Sequence, residues 1–369
     1  MKILRTFLIL SLVLLLTGCA LPEVTPQAAS STPPLPTTTA PVVPTVSEPT
    51  ETPSAVNELI TAKNAASLAA SERTGISNVL GMTWSLDSKS LMLFSQNSSN
   101  GTDQVFSIAS LAIPSLNTNF VWAAQAGTHA SPDGKTVAVI SADNTQVNLV
   151  DASTGSKLKT LQPGYAVMMA TFSPDGKTLA VTSQEDWQMI LYDVATGQEL
   201  LKLTGFETAA PVYDAGFAGS NQWLVWHARA TIQLQSTADG TMVPPFEHED
   251  FVSAFSLTAD GKLLASASIK TLDGKVKPII YLWDTSSGKF IRALVLDNPA
   301  TALAFSPDGS LLAVAEGNAI QIWDVANEAV LATLTENTNP VYLLAFSPDG
   351  KILASSGNDN QLILWTVVK

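Results

Sequence analysis

Two copies of Gly-Lys-Thr, at 134–136 and 176–178, sit in the strings "ASPDGKTVAV" and "FSPDGKTLAV" and could be taken for the end of a phosphate-cradling loop. Such a loop needs a glycine five positions before the Gly-Lys pair, so that backbone amides can close on the phosphate. His129 and Thr171 stand there instead. No Gly-x-Ser-x-Gly elbow and no His-Glu-x-x-His zinc signature occurs. The three histidines, His129, His227 and His248, are too far apart in sequence to gather metal ligands locally. Acids such as Asp133 and Asp175 are too scattered for a calcium loop. The adjacent pairs Glu185-Asp186 and Glu249-Asp250 read as solvated loop acids. No catalytic residue, cofactor site or metal site is expected.

What the Gly-Lys-Thr strings do carry is repetition. "FSPDGKTLAV" at 172–181 returns as "FSPDGSLLAV" at 305–314 and "FSPDGKILAS" at 346–355. Their turn aspartates align with Asp87, Asp133, Asp175, Asp260, Asp308 and Asp349, about 41 to 48 residues apart except for one gap of about twice that. "GFAGSNQWLVW" at 216–226 fills the long gap as a degenerate copy, giving seven units. One unit reads as four strands: "TALAF" (301–305), "LLAVAE" (311–316), "AIQIWDV" (319–325) and "AVLATL" (329–334). Ser306-Pro307-Asp308-Gly309 fits a type I turn between the first two. Apolar residues such as Leu312, Val314, Ile320 and Ile322 would lie naked on a lone blade and are covered when blades stack radially.

The third strands end "VNLVD" (147–151), "MILYD" (189–193), "YLWD" (281–284), "IQIWD" (320–324) and "LILW" (362–365), which resembles the Trp-Asp ending of WD40 repeats. The resemblance covers about residues 57–369 and implies an all-β, seven-bladed propeller of four-stranded antiparallel blades. It also implies that an N-terminal strand, expected within 58–69, closes the last blade beside 361–368. The family's Gly-His pair is missing almost everywhere. His248 stands where the family histidine would be, Asn337 replaces another, and the His-Asp-Ser-Trp set looks incomplete. "IQLQS" (232–236) has lost the Trp-Asp pair.

The N-terminus gives an address. Lys2 and Arg5 precede an apolar run from Phe7 to Leu16 that is too short for a spanning helix and reads as a secretory signal over 1–18. An uncleaved anchor helix is the alternative. Leu16-Thr17-Gly18-Cys19 resembles the lipobox of bacterial lipoproteins, and Cys19 is the single cysteine. The resemblance implies acylation of Cys19 and attachment to a bacterial membrane on its extracytoplasmic side. Residues 19–56, dense in Pro, Thr and Ser, are expected to be a disordered, semi-rigid linker that could carry sugar. A net charge of −13, which becomes about −15 when Lys2 and Arg5 leave with the signal, disfavours nucleic acid.

Function is therefore sought in the loops that do not repeat. In propellers the connections between second and third strands and between blades share one rim. Here that rim would carry Tyr165, Trp187, Phe206, His248 and the loop 269–278 with Lys270, Lys275 and Lys277. Aromatics among charges suit recognition of a protein or peptide in the cell envelope, and a monomeric, non-catalytic scaffold is expected. The alternative is an exported propeller enzyme or small-ligand sensor that uses the central channel. The bland reading of each aromatic is that it packs on its own blade.

Overall fold

The computed structural model describes residues 58–368 except 77, 99–103, 125–127, 184–187, 204–213, 219–220 and 273. Its strands come in groups of four. An opening strand β1 (Leu68–Gly75) is followed by blade 1, made of β2 (Val79–Trp84), β3 (Ser90–Ser98), β4 (Gln104–Ala112) and β5 (Thr118–Ala124). Blade 2 comprises β6 (His129–Ala130), β7 (Thr136–Ile140), β8 (Val147–Asp151) and β9 (Lys157–Leu161). Blade 3 comprises β10 (Val167–Phe172), β11 (Thr178–Ser183), β12 (Met189–Asp193) and β13 (Glu199–Leu203). Blade 4 comprises β14 (Asp214–Ala218), β15 (Trp223–Ala228), β16 (Thr231–Ser236) and a two-residue β17 (Phe246–Glu247). Blade 5 comprises β18 (Ala254–Leu257), β19 (Leu263–Leu272), β20 (Lys275–Asp284) and β21 (Lys289–Val295). Blade 6 comprises β22 (Ala300–Phe305), β23 (Leu311–Glu316), β24 (Ala319–Asp324) and β25 (Ala329–Leu334). Blade 7 takes β26 (Val341–Phe346), β27 (Leu353–Gly357) and β28 (Gln361–Val367), and is completed by β1. All seven sheets are antiparallel meanders, and first strands of consecutive blades touch, as β18, β22 and β26 do, which puts them on the inside of the ring.

Stacking is visible in the period of a single strand. Along β23, Leu312 and Val314 join a core with Leu282, Leu303 and Phe305 of blades 5 and 6. Leu311, Ala313 and Ala315 join a different core with Val341, Ile363 and Trp365 of blade 7. Alternate residues point to opposite faces of a sheet, so a strand apolar at every position must have both faces covered. Leu311 to Ala315 are all fully buried. Truncating one such leucine to alanine costs about 2 to 5 kcal/mol.

The closing strand lies further along than the sequence suggests. Residues 58–67 hold a turn and a short 3-10 helix, Ala65–Ser67, whereas β1 pairs with β28 from Leu68↔Val367 to Gly75↔Gln361. Glu72 and Arg73 hide this strand from a hydrophobicity reading. As the outermost strand of its blade, β1 exposes both, and Arg73 forms an ion pair with Glu336. The preceding residues are docked as well: Ile60 is buried and its amide donates to the Gly350 carbonyl at 2.9 Å.

The segment 269–278 is also different from expectation. It is not a loop but the outer half of a hairpin, with β19 and β20 paired continuously out to Leu272↔Lys275. Gly274 at the tip has φ +72°, a conformation glycine adopts without strain. The Asp273-Gly274 pair between strand-forming residues is the hairpin signal in the sequence.

Candidate functional site

The ring has two faces of different character. On one lie the turns between first and second strands. In those of blades 1 to 3 and 5 to 7, a Ser or Thr hydroxyl donates to the aspartate two residues on, that carboxylate accepts from the next amide but one, and the hydroxyl itself accepts the amide that starts the second strand. The Ser173 Oγ to Asp175 distance is 2.7 Å, Lys177 N to Asp175 is 3.0 Å, and Thr178 N to Ser173 Oγ is 2.9 Å. Ser131, Ser306 and Ser347 repeat the arrangement, with Thr258 in blade 5. The fourth residue bonds back to the first, as Gly176 N does to Ser173 O at 2.8 Å, which is the bond of the expected turn. Hydrogen bonds from Thr258 and Lys262 hold the Asp260 carboxyl down at about 2.

Neighbouring turns also lock together. The glycine of one abuts the preceding blade's turn: a Cβ on Gly176 would lie 3.6 Å from Pro132 Cδ, and one on Gly309 would lie 3.0 Å from Thr258 Cγ2. Asp349 N donates to Ser88 Oγ at 3.0 Å, joining blade 7 to blade 1. The aspartates that end the third strands lie on this face too, each inside its own tight turn. Asp151 accepts from Ser153 and Thr154, Asp284 from Ser286 and Ser287, and these hydroxyl and amide donors hold both carboxyls at about 2. The repeated acids are structural; the hydrogen bonds they accept come from within a few residues of chain.

The opposite face carries the connections between second and third strands and between blades. A seam that the sequence does not advertise runs around it. Asn144, Arg229, Gly317 and Asn360 all have positive φ, and each carbonyl accepts an amide at the entry to the following blade: Val167, Val252, Val341 and Ile76, at 2.7 to 2.8 Å. Three residue types, Asn, Gly and Arg, do one backbone job, and an Asp-Asn pair marks it only at 143–144 and 359–360. Within this frame Asp143 is satisfied locally by Ser141 and Thr145. Asp359 repeats this by accepting the Gln361 amide at 3.1 Å, whereas the charges of the 248–251 connection and of the 269–278 hairpin do not repeat.

The candidate residues separate on this face. Tyr165, in the connection between blades 2 and 3, packs against the blade 2–blade 3 core and its hydroxyl donates to Val181 O at 2.6 Å; burial pushes its pKa up. His248 sits in the connection from blade 4 to blade 5. Its Nε2 lies 2.7 Å from Ser266 Oγ, its Nδ1 lies 3.0 Å from the Ala230 carbonyl, and Trp283 Nε1 donates to the same Ser266 hydroxyl at 2.8 Å. Burial lowers the pKa of this histidine, with the Ala230 carbonyl opposing. Lys270 pairs with Glu249 at 2.9 Å, tying the base of the hairpin to the blade connection. Lys275 and Lys277 are exposed on the hairpin and make no ion pair among the described residues. Trp187, Phe206 and Cys19 lie outside the described residues.

His248, Ser266 and Trp283 have a counterpart in blade 7. There Trp365 Nε1 donates to Ser355 Oγ at 2.9 Å, and Ser355 Oγ donates to Asn337 Oδ1 at 3.3 Å. The set is incomplete as expected: blade 5 has its His, Ser and Trp, and in blade 7 Asn337 stands in for the histidine while Asp359 accepts from the neighbouring Thr338. Blade 6 departs from it: Val314 holds the serine position and Trp323 Nε1 bonds Gln321 at 2.8 Å instead.

A family model described as a domain of unknown function, DUF7165, matches residues 252–367, which cover blades 5 to 7. The chain is also 36% identical over 93 residues to U3 small nucleolar RNA-associated protein 21 of Saccharomyces cerevisiae. It is 32% identical over 100 residues to the uncharacterized WD repeat-containing protein sll1491 of Synechocystis sp.. The chain is a seven-bladed β-propeller with partial similarity to WD-repeat proteins. The two alignments take in 25% and 26% of the propeller chain, and 9% and 27% of the relatives' own lengths, so the likeness is to part of each relative. Among the described residues of this propeller no three His, Cys, Asp or Glu side chains gather as a metal site, and no helix is long and apolar enough to cross a membrane.

Proposed function

We propose that this WD-repeat-like propeller is a non-catalytic scaffold, tethered to a bacterial membrane through Cys19 on the extracytoplasmic side, which holds a protein partner on its loop face. The observation that carries the reading is the contrast between the two faces. Repeated carboxylates brace the turns of one face through local hydrogen bonds, while the non-repeating charges of the His248–Phe251 connection and the 269–278 hairpin belong to the other. The point of entry supports it. Residues 58–60 meet the ring at the Gly350 turn, so a linker arriving from Cys19 reaches the turn face and leaves the loop face pointing away from the tether. The RNA association in the yeast relative's name is not carried over, because a chain of net charge −13 repels a phosphate backbone.

Two measurements test it. Replacing Cys19 with serine should move the protein from the membrane fraction to the soluble fraction; retention of the variant in membranes would overturn the anchor. Capture of partners by cross-linking on intact cells should fall for Trp187→Ala and for a hairpin shortened between 270 and 277, and equal capture by all three forms would sink the loop-face reading.

A further inference from the structure

The outer strand of blade 5 is unlike the outer strands of the other blades. It is the last strand in its sheet, so one row of its backbone donors and acceptors has no strand beside it. Among the described residues, β5, β9, β13 and β25 each expose one large apolar side chain: Val121, Leu158, Leu200 and Val330. β21 exposes three, with Phe290 and Val295 each 52% exposed and Ile291 42% exposed, and the neighbouring hairpin adds Val276 at 63%. An open edge with an apolar surface is a template for pairing with another chain, and proteins normally blunt it. Blade 4 does so at its own outer edge, where Pro244 and Pro245 stand just before the two-residue β17.

Charge is arranged at both ends of this edge. Lys289 begins β21, and Lys277 lies two residues from Ile279, the partner of Val295 at the far end of the strand; Lys275 follows on the hairpin. None of the three makes an ion pair among the described residues, although the chain has 32 acidic residues against 19 basic ones. The one cation inside the strand, Arg292, is already paired with Glu328 of blade 6 at 2.8 Å. Phe290 is held ready rather than loose, its ring edge-on to Tyr281 and Trp283 at centroid distances of 6.1 and 5.8 Å. The surface is a run of backbone and apolar side chain about 20 Å long, the reach of a seven-residue strand, with cations at its ends.

We propose that β21 and the 275–277 hairpin form a docking edge for an extended segment of another protein, apolar in its middle and carboxylate-bearing at both ends, which adds to blade 5 as a fifth strand. Main-chain bonds supply affinity in this mode, and the flanking charges set direction and choice of partner. The proposal rests on the interaction reading above but uses the flank of the ring, not the loop face.

The probe is a fluorescent peptide of alternating Val and Thr with two Glu at each end, compared with the same peptide ending in Lys. The full chain should bind the Glu-ended peptide at least tenfold more tightly. That binding should slow amide hydrogen exchange across 289–295, and the Lys275→Glu, Lys277→Glu, Lys289→Glu variant should reverse the preference. These lysines are exposed, so an unchanged melting temperature verifies that the variant is folded. No preference between peptides, or binding without protection of β21, would overturn the docking edge. So would a concentration-dependent dimer abolished by Val295→Lys, since a second copy would then be the occupant. If peptide binding fails while loop-face cross-links persist, the edge alone is wrong; if those cross-links fail while the peptide binds, the loop-face reading is wrong.

Discussion

The Ser266 hydroxyl accepts the Trp283 indole N–H at 2.8 Å, and it does so from a fully buried position on the strand beside it. The same oxygen faces His248 Nε2, so one small side chain ties the middle strands of blade 5 to the chain entering from blade 4. Ser266→Ala leaves a buried indole donor and a histidine nitrogen without partners. A loss of about 1 to 3 kcal/mol is expected from urea unfolding. Ser355→Ala should cost a similar amount through Trp365.

Acid should weaken the fold in a defined window. Burial lowers the pKa of His248 and brings that of His129 to about 4. A histidine with a folded pKa below its unfolded value of about 6.5 binds more protons unfolded than folded, so its contribution is full above 6.5 and is lost as pH falls towards 4. Thermal melts from pH 7.5 to 4.5 should show a falling midpoint, and His129→Phe should flatten part of that slope. Glu316 works in the opposite direction: burial, with Asp297 adding, raises its pKa, so its contribution is present at low pH and lost as pH rises through the folded value. Glu316→Gln should therefore gain stability relative to wild type at pH 8 more than at pH 4.

The ring should depend on β1 and on the docked residues 58–67 before it, and not on residues 1–57. Deleting residues 1–57 leaves β1 and its pairing with β28 in place, and the midpoint of unfolding should stay within a degree or two. Deleting 1–76 strips β28 of its neighbour and uncovers the core that holds Leu68, Ala70 and Trp365. Loss of a cooperative transition, or a midpoint at least 10 °C lower, is expected at roughly 2 to 4 °C per kcal/mol for a ring of this size.

Glycines of one kind in sequence separate into two kinds in space. A Cβ on Gly357 would overlap the Pro340 carbonyl oxygen, a backbone atom that cannot turn aside. Gly274 has open space around it and only its φ of +72° to oppose a side chain. Gly357→Ala should cost about 3 kcal/mol and Gly274→Ala about 1, measured by chemical denaturation.

Much of the fold is legible in the chain because its devices are local. Ser306-Pro307-Asp308-Gly309 specifies its own turn, and Leu311 to Glu316 and Ala329 to Leu334 lie on strands with the bounds their residues suggest. What escaped depends on distant partners. Glu72 and Arg73 look like a loop until β28 lies beside them. The aspartates of the Trp-Asp ending are marked by a following Ser, Thr or Asn, a signal present in "DASTG", "DVATG" and "DTSSG" but overshadowed by the tryptophan. The loop-face seam through Asn144, Arg229, Gly317 and Asn360 uses the positive φ that Asn and Gly favour, but Arg229 breaks the pattern and the accepting carbonyls meet amides of the next blade that lie far along the chain. Candidate site residues were hardest, since a rim aromatic such as Tyr165 and a free one have the same letters, and only the 2.6 Å bond to Val181 tells where this one is spent.

The central claim is that recognition belongs to the loop face and architecture to the turn face. A photo-cross-linking amino acid placed singly at Glu249 and Asn358, on the loop face, and at Lys135 and Lys177, on the turn face, tests it in intact cells. Discrete partner adducts from the first pair and none from the second are predicted. Adducts from Lys135 or Lys177 that equal or exceed those from Glu249 and Asn358 would contradict the account.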